Sequence, residues 1–174
     1  MKAAPPSANQ AYQALVELLR AADTVWNASR AFFARWGLSP SQFNVLNLLE
    51  GNPSGLSQTE LGRQLIMHRS NVTGLVDRLE KRGLVRREDA AGDRRAYRVV
   101  LTRDGARLLG DVLPRYYEEG RRACEHLSDR RAAELVADFR QIAQNAQRVA
   151  AGLAAEPGVG ARVLTGGARR RQRR

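Results

Sequence analysis

The chain has 174 residues, 29 basic against 18 acidic side chains, a net charge of +11 and a single cysteine. That length suits one domain able to bury roughly 70% of its unfolded surface, so neither a disulfide nor a metal staple is needed. With no apolar run of about 18 residues and no apolar segment in MKAAPPSANQ, the sequence predicts a soluble cytoplasmic protein without a membrane partner.

The first predicted helix runs from near Ser7 or Ala11 to Trp36. Tyr12, Leu15, Leu19, Ala22, Trp26, Ser29 and Phe33 share a stripe, flanked by Leu18, Val25 and Phe32, and so wide an apolar band is expected to be buried. Ser39-Pro40-Ser41-Gln42 opens a second helix with a cap, a first-turn proline and a capping-box glutamine; Phe43, Leu46 and Leu49 follow and Gly51 ends it. After a loop to Gly55, Ser57 and Glu60 form a capping-box pair that starts a third helix, with Leu61 and Leu65 facing inward. Past an interruption at Ile66 to His68, Val72, Leu75, Val76 and Leu79 recur at helical spacing until Gly83 supplies a left-handed stop.

The exposed side of this fourth helix is then Arg69, Ser70, Asn71, Thr73, Gly74, Asp77 and Arg78, small or hydrogen-bonding residues concentrated in its first turns. Two short helices in this order form a helix-turn-helix, whose second helix enters the major groove by its N-terminal part. There arginine can fork onto guanine, asparagine onto adenine, and a threonine methyl can touch thymine. Beyond Gly83 the period becomes two. Leu84 to Arg87 is one strand and Ala96 to Leu101 a second, with Tyr97, Val99 and Leu101 on one face. Asp89 to Arg95 is a polar turn carrying Arg94 and Arg95 at its tip, where they can meet the minor groove or phosphates, and Asp93 can orient the Arg95 fork. The expected DNA-contacting set is Ser57, Gln58, Thr59, Arg69, Ser70, Asn71, Thr73, Gly74, Arg78, Arg94 and Arg95, with Asp93 orienting the wing.

Thr102 caps a fifth helix running toward Cys124; Pro114 lies inside it, so a kink near Gly110, or a division, is expected. Ser128 starts the last helix, in which Leu135, Phe139, Ile142, Ala146, Val149 and Leu153 make a heptad seam. Glu156-Pro157-Gly158 breaks it, and a Gly- and Arg-rich tail follows that is predicted to be disordered. The excess charge divides unevenly: +4 falls in residues 57 to 105 and +6 in residues 157 to 174, a footprint suited to nucleic acid. Arginine outnumbers lysine 27 to 2, which, beside the high alanine content, reads first as coding bias.

GLVDRLEKRGLVRRE, then Asp93-Arg94-Arg95, then Val100-Leu101-Thr102-Arg103-Asp104-Gly105, resembles the winged-helix core of the MarR family of bacterial transcriptional regulators. The resemblance extends less sharply from about Tyr12 to Leu153. It departs at His68, where relatives often carry a serine that caps the reading helix. It implies a mainly α fold with a small β-hairpin wing: a winged helix-turn-helix at 39–105 and dimerisation helices at 11–36 and 102–155, between a flexible N-terminus at 1–10 and a basic tail at 156–174. It further implies a homodimer on a palindromic double-stranded operator, most often as a repressor. Such a regulator is modulated by a small, often aromatic effector, for which Trp26, Arg30, Phe33, Trp36, Phe43 and Tyr116 are candidate contacts.

Other chemistries fit poorly. Cys124 reads as an apolar filler before an oxidant sensor. It also stands two residues from His126, a spacing that points the two side chains apart on a helix, so no metal site is expected. Two histidines, one cysteine and no glycine-rich phosphate loop leave no nucleophile and base, hence neither an enzyme nor a cofactor. The alternative of a different class is an effector-insensitive architectural module that binds nucleic acid nonspecifically through its basic face.

Overall fold

The structure, a computed structural model, describes residues 6–65, 69–90 and 93–155, and of residues 6–9, 69–70, 90, 93–96 and 155 the backbone alone. It is mainly α with one antiparallel hairpin, and it divides into two compact units, Met1–Glu118 and Glu119–Arg174. The elements are α1 (Pro6–Ala34), α2 (Pro40–Glu50), α3 (Gln58–Gln64), α4 (Arg69–Lys81), β1 (Val85–Ala90), β2 (Asp93–Leu101), α5 (Arg103–Ala123) and α6 (Asp129–Ala155). None of the described helices is long and apolar enough to cross a membrane.

Within the first unit the helix ends follow local chemistry. Ser39 and Ser57 each accept a bond from the backbone N–H three residues on, while Gln42 and Glu60 reach back to the cap N–H at 2.8 and 2.7 Å. Both capping boxes expected from the sequence are therefore present. The Ser57 amide, then its hydroxyl, holds the Glu60 carboxyl below its ordinary range; partial burial opposes this, and Arg98 and Arg63 add to it. α4 ends with Gly83 at φ +71°, the Leu84 N–H bonded to Leu79 O (3.0 Å) and the Gly83 N–H to Glu80 O (2.8 Å). α1 ends at Ala34, two residues short of the expected Trp36, and closes in the same way through Gly37 (φ +63°), as the Leu38 and Gly37 N–H groups bond back to Phe33 O and Ala34 O.

The core is the apolar set named by periodicity. Phe43, Leu46, Leu49, Leu61, Val72, Leu75, Val76 and Leu79 are all buried, joined by Val85, Val99, Leu109 and Val112. Each contributes about 1.5–3 kcal/mol by leaving water. Leu65, expected inward, is only half-buried at the C-terminal end of α3. Leu56 pairs with Val99 through N–H···O bonds of 3.0 and 2.8 Å, tying the α2–α3 loop to β2. A Cβ on Gly55 (φ +75°) would stand 2.7 Å from Val99 O, so only glycine allows that approach.

β1 and β2 pair from Val85↔Leu101 to Asp89↔Tyr97, then after a register shift Ala90 pairs with Asp93. The strands are thus longer than the expected Leu84–Arg87 and Ala96–Leu101, although β1 begins after Leu84, and Asp89, Ala90, Asp93, Arg94 and Arg95 belong to strands where a turn with the two arginines at its tip was expected. Ladder pairing carries polar residues that have no apolar face to mark them as strand. α5 begins as predicted: the Gly105 N–H donates to Thr102 Oγ1 (3.0 Å), and that hydroxyl donates to Gly83 O (2.7 Å). It is continuous through Pro114, so the proline does not divide it.

Along α1 every described side chain from Gln10 to Ala31 is exposed except the half-buried Val16, Leu18 and Ser29. The wide apolar band expected to be buried is therefore open within one chain, Tyr12, Leu19 and Val25 at 62–65% exposure.

In the second unit, α6 is capped by Ser128, whose Oγ accepts from the Arg131 N–H at 3.3 Å. Its seam residues Phe139, Ile142, Val149 and Leu153 are exposed and Leu135 is half-buried. Cys124 is exposed in the turn before α6, so it is no buried filler; a position past the end of α5 has no helix face to tuck it under.

Candidate nucleic-acid interface

α4 turns Val72, Leu75, Val76 and Leu79 into the core, which leaves Asn71 and Arg78 exposed and Thr73, Gly74 and Asp77 half-exposed on the other side. The Arg78 guanidinium lies back over Gly74, 3.6 Å from where a Cβ would stand. Arg69 and Ser70 occupy the first turn of α4, but their side chains, like all of His68, lie outside the described residues. The same holds for the side chains of Asp93, Arg94 and Arg95 in β2, so the orienting role expected of Asp93 lies outside them too.

α3 meets α4 through a polar pair. Thr73 Oγ1 donates to Gln58 Oε1 at 3.1 Å, and Gln58 is buried at 8% exposure. Grouped by sequence with the DNA contacts, Gln58 is instead a strut between the two helices, because the capping box at Ser57 starts α3 with this first-turn side chain against α4. Its Nε2 is buried without a hydrogen-bond partner among the described residues. Thr59 is exposed beside it, and Ser57 is half-buried with its hydroxyl engaged in the cap.

A residue absent from the expected set joins the reading helix to the wing. Arg87 on β1 ion-pairs with Asp77 and Glu80 of α4, donates its backbone N–H to Glu80 Oε1 at 3.0 Å, and lies 5.2 Å over the Tyr97 ring. Burial works against its charge, but the bonds to Asp77 and Tyr97 and the Glu80 carboxylate prevail, holding its pKa above the ordinary guanidinium value. A signal existed in the sequence: Arg87 is two residues from Val85, hence on the strand face that points into the core. Arg98 fixes the opposite side of the hairpin, its Nε donating to Ser54 O at 3.0 Å and to Gly55 O at 3.1 Å, with Glu60 at 3.7 Å.

The candidate effector residues separate into two groups. Phe33 and Phe43 are 1% exposed and stacked at 4.2 Å, with Tyr116 packed on both rings, so they are core and not open wall. Aromatics on a helical stripe pack first on one another, which is why spacing alone could not tell them from ligand contacts. Trp36 is half-buried under the Arg35 and Arg115 guanidiniums, at 5.3 and 5.9 Å from its ring centre. Trp26 and Arg30 do line a pocket of about 340 Å³, together with Leu38, Ser39, Pro40 and Ser41. Among the described residues no group of three or more His, Cys, Asp or Glu could hold a metal ion.

Comparison with known proteins fits this geometry. The family model for the MarR family matches residues 36–96. The HTH-type transcriptional regulator PecS of Dickeya dadantii is 33% identical over 91 residues, 51% of this chain and 55% of that protein. The chain spans about half the length of the curated relatives it matches. Among solved structures, the transcriptional repressor CouR bound to a 23-mer DNA duplex is 33% identical with a TM-score of 0.66, over 73% of this chain and 89% of that one. CouR from Rhodococcus jostii RHA1 bound to p-coumaroyl-CoA is 29% identical with a TM-score of 0.67, over 72% and 88%.

Proposed function

The chain belongs to the MarR family of transcriptional regulators, DNA-binding proteins and not enzymes, and from that premise we propose that it is a homodimeric repressor of a palindromic operator, relieved by a small aromatic effector. The observation that carries the reading is α4: four apolar side chains face the core, leaving Asn71, Thr73, Gly74 and Arg78 to face outward. Asn71 and Arg78 read base edges or phosphates, Thr59 and Ser57 contact backbone beside them, and Arg69, Ser70, Arg94 and Arg95 complete the surface from the first turn of α4 and the wing. A gel shift with the promoter beside its own gene, against scrambled duplex at equal salt, is expected to show a preference of about 10³ or more. Asn71→Ala is expected to cost about 1–3 kcal/mol per half-site on the operator and little on scrambled DNA; equal losses on both would remove its base-reading role.

Two copies supply what one lacks. The apolar side chains open on α1 and, separately, on α6 are too numerous to leave in water, and a symmetric partner covers them. A two-fold dimer sets the reading helices about 34 Å apart, one turn of duplex. Equilibrium sedimentation at micromolar concentration is expected to give a dimer, and Phe139→Glu with Ile142→Glu a monomer; wild-type protein that sediments only as a monomer would end this part of the reading. The effector belongs in the pocket of Trp26 and Arg30, where an indole wall and a guanidinium suit an aromatic acid or thioester. CouR, whose structure holds p-coumaroyl-CoA, supports that class.

A further inference from the structure

Arg82 is the last residue before Gly83, at the C-terminal end of α4, and its side chain is spent on another helix. Its Nη1 donates to Gly37 O at 2.6 Å and its Nη2 to Trp36 O at 3.1 Å, across 45 and 46 residues of sequence. These are carbonyls of the turn that follows α1. The closing turn of α1 satisfies Phe33 O and Ala34 O with the Leu38 and Gly37 N–H groups, and among the described residues no backbone N–H of that turn donates to Trp36 O or Gly37 O. Two helices thus end in the same glycine turn, and one guanidinium forks from the end of α4 onto the carbonyls at the end of α1. A cation there meets the negative end of each helix.

The carbonyls that Arg82 holds sit between two informative features. Trp36 owns one of them, and its ring lies half-buried under Arg35 and Arg115. Gly37 owns the other and is followed directly by Leu38 and Ser39, which line the pocket of Trp26 and Arg30. A displacement of α4 along its own axis therefore pulls on a turn that forms one wall of that pocket, through a planar two-bond link that cannot swivel as a single bond would.

We propose that Arg82 is a positioning residue that couples the reading helix α4 to the α1–α2 turn, so that docking of α4 on DNA is felt at Trp36 and at the pocket wall beside it. The coupling rests on α4 being the DNA-contacting helix, and it works whatever the effector is. By linkage, anything that binds the pocket wall differently in the two positions of the turn alters DNA affinity by the same factor.

The test uses Trp36 as reporter. The chain has two tryptophans, so Trp26→Phe leaves Trp36 alone. Full-length protein of this background is titrated to saturation, followed by anisotropy, with a duplex that the wild-type protein has enriched from a random-sequence pool. Trp36 emission and its quenching by acrylamide are read free and bound. DNA is expected to shift both, Arg82→Ala to abolish the shift at saturating duplex, and Arg82→Lys, which cannot fork onto both carbonyls, to restore part of it. A merely structural staple would lower the melting temperature of Arg82→Ala and leave the Trp36 response intact; that result, or no response in the Trp26→Phe parent, overturns the coupling. A pool from which nothing is enriched would remove the DNA-reading role of α4 together with the coupling, whereas enrichment without an Arg82-dependent response removes the coupling alone.

Discussion

Gly105→Ala is expected to destabilise the fold by about 3 kcal/mol or more, lowering the thermal midpoint by roughly 6–12 °C. Alanine is otherwise the better helix former, so the sign comes wholly from packing. A Cβ at Gly105 would stand 2.1 Å from Leu84 O and 2.8 Å from Leu101 Cδ1. The carbonyl cannot step aside cheaply, since it accepts the Thr102 N–H at 3.1 Å and Leu84 is itself locked into the end of α4. Gly110, in the same helix with open space around its Cα, is the control: Gly110→Ala is expected to raise stability by about 0.5–1 kcal/mol. Differential scanning calorimetry of the two variants, showing opposite shifts, is the check, and equal shifts would contradict the close approach of Leu84.

Arg87→Met should act on both stability and binding. Methionine keeps an apolar stem while removing the guanidinium and with it the cation over the Tyr97 ring, so Asp77 and Glu80 lose their shared partner. Both carboxylates are partly exposed, at 48% and 36%, and water takes up some of the loss, so the expected cost is about 1–2 kcal/mol and not the larger penalty of a fully buried charge. Binding should suffer more visibly. The reading helix would then present an unneutralised carboxylate to the phosphates, and the wing would lose its tether to α4. Affinity for operator and scrambled duplex is expected to fall together by roughly tenfold, or about 1.4 kcal/mol, with the deficit shrinking as salt rises. A loss confined to the operator would assign Arg87 to base reading instead of positioning.

What could be read without a fold was what is local. Ser39 with Gln42, Ser57 with Glu60, Thr102 with Gly105, and the glycine stop at Gly83 each involve partners within about one helical turn, and each appears as expected. The apolar periods likewise named the core of α2 and α4, because a helix face repeats every 3.6 residues wherever it packs. Gln58 shows where that reasoning stops. Its place at the start of α3 suits a phosphate contact, yet it is buried against Thr73, and only the crossing of α3 with α4 decides between the two.

Element types, the caps of α2, α3, α5 and α6, the family and the solvent face of α4 were legible in the residues alone, since each depends on short spacings or on a contiguous motif. Where the guanidiniums go depends on how the elements pack. Arg82, Arg87 and Arg98 find partners 7 to 46 residues away, and an arginine, with five donors on a long flexible stem, carries no local mark of its acceptor. Packing decided too that Phe33 and Phe43 are core while Trp26 and Arg30 border a pocket, because burial depends on which helices close over a side chain. For the same reason the apolar band of α1 stays open in one chain: an apolar stripe specifies that it wants a partner, and packing specifies which one.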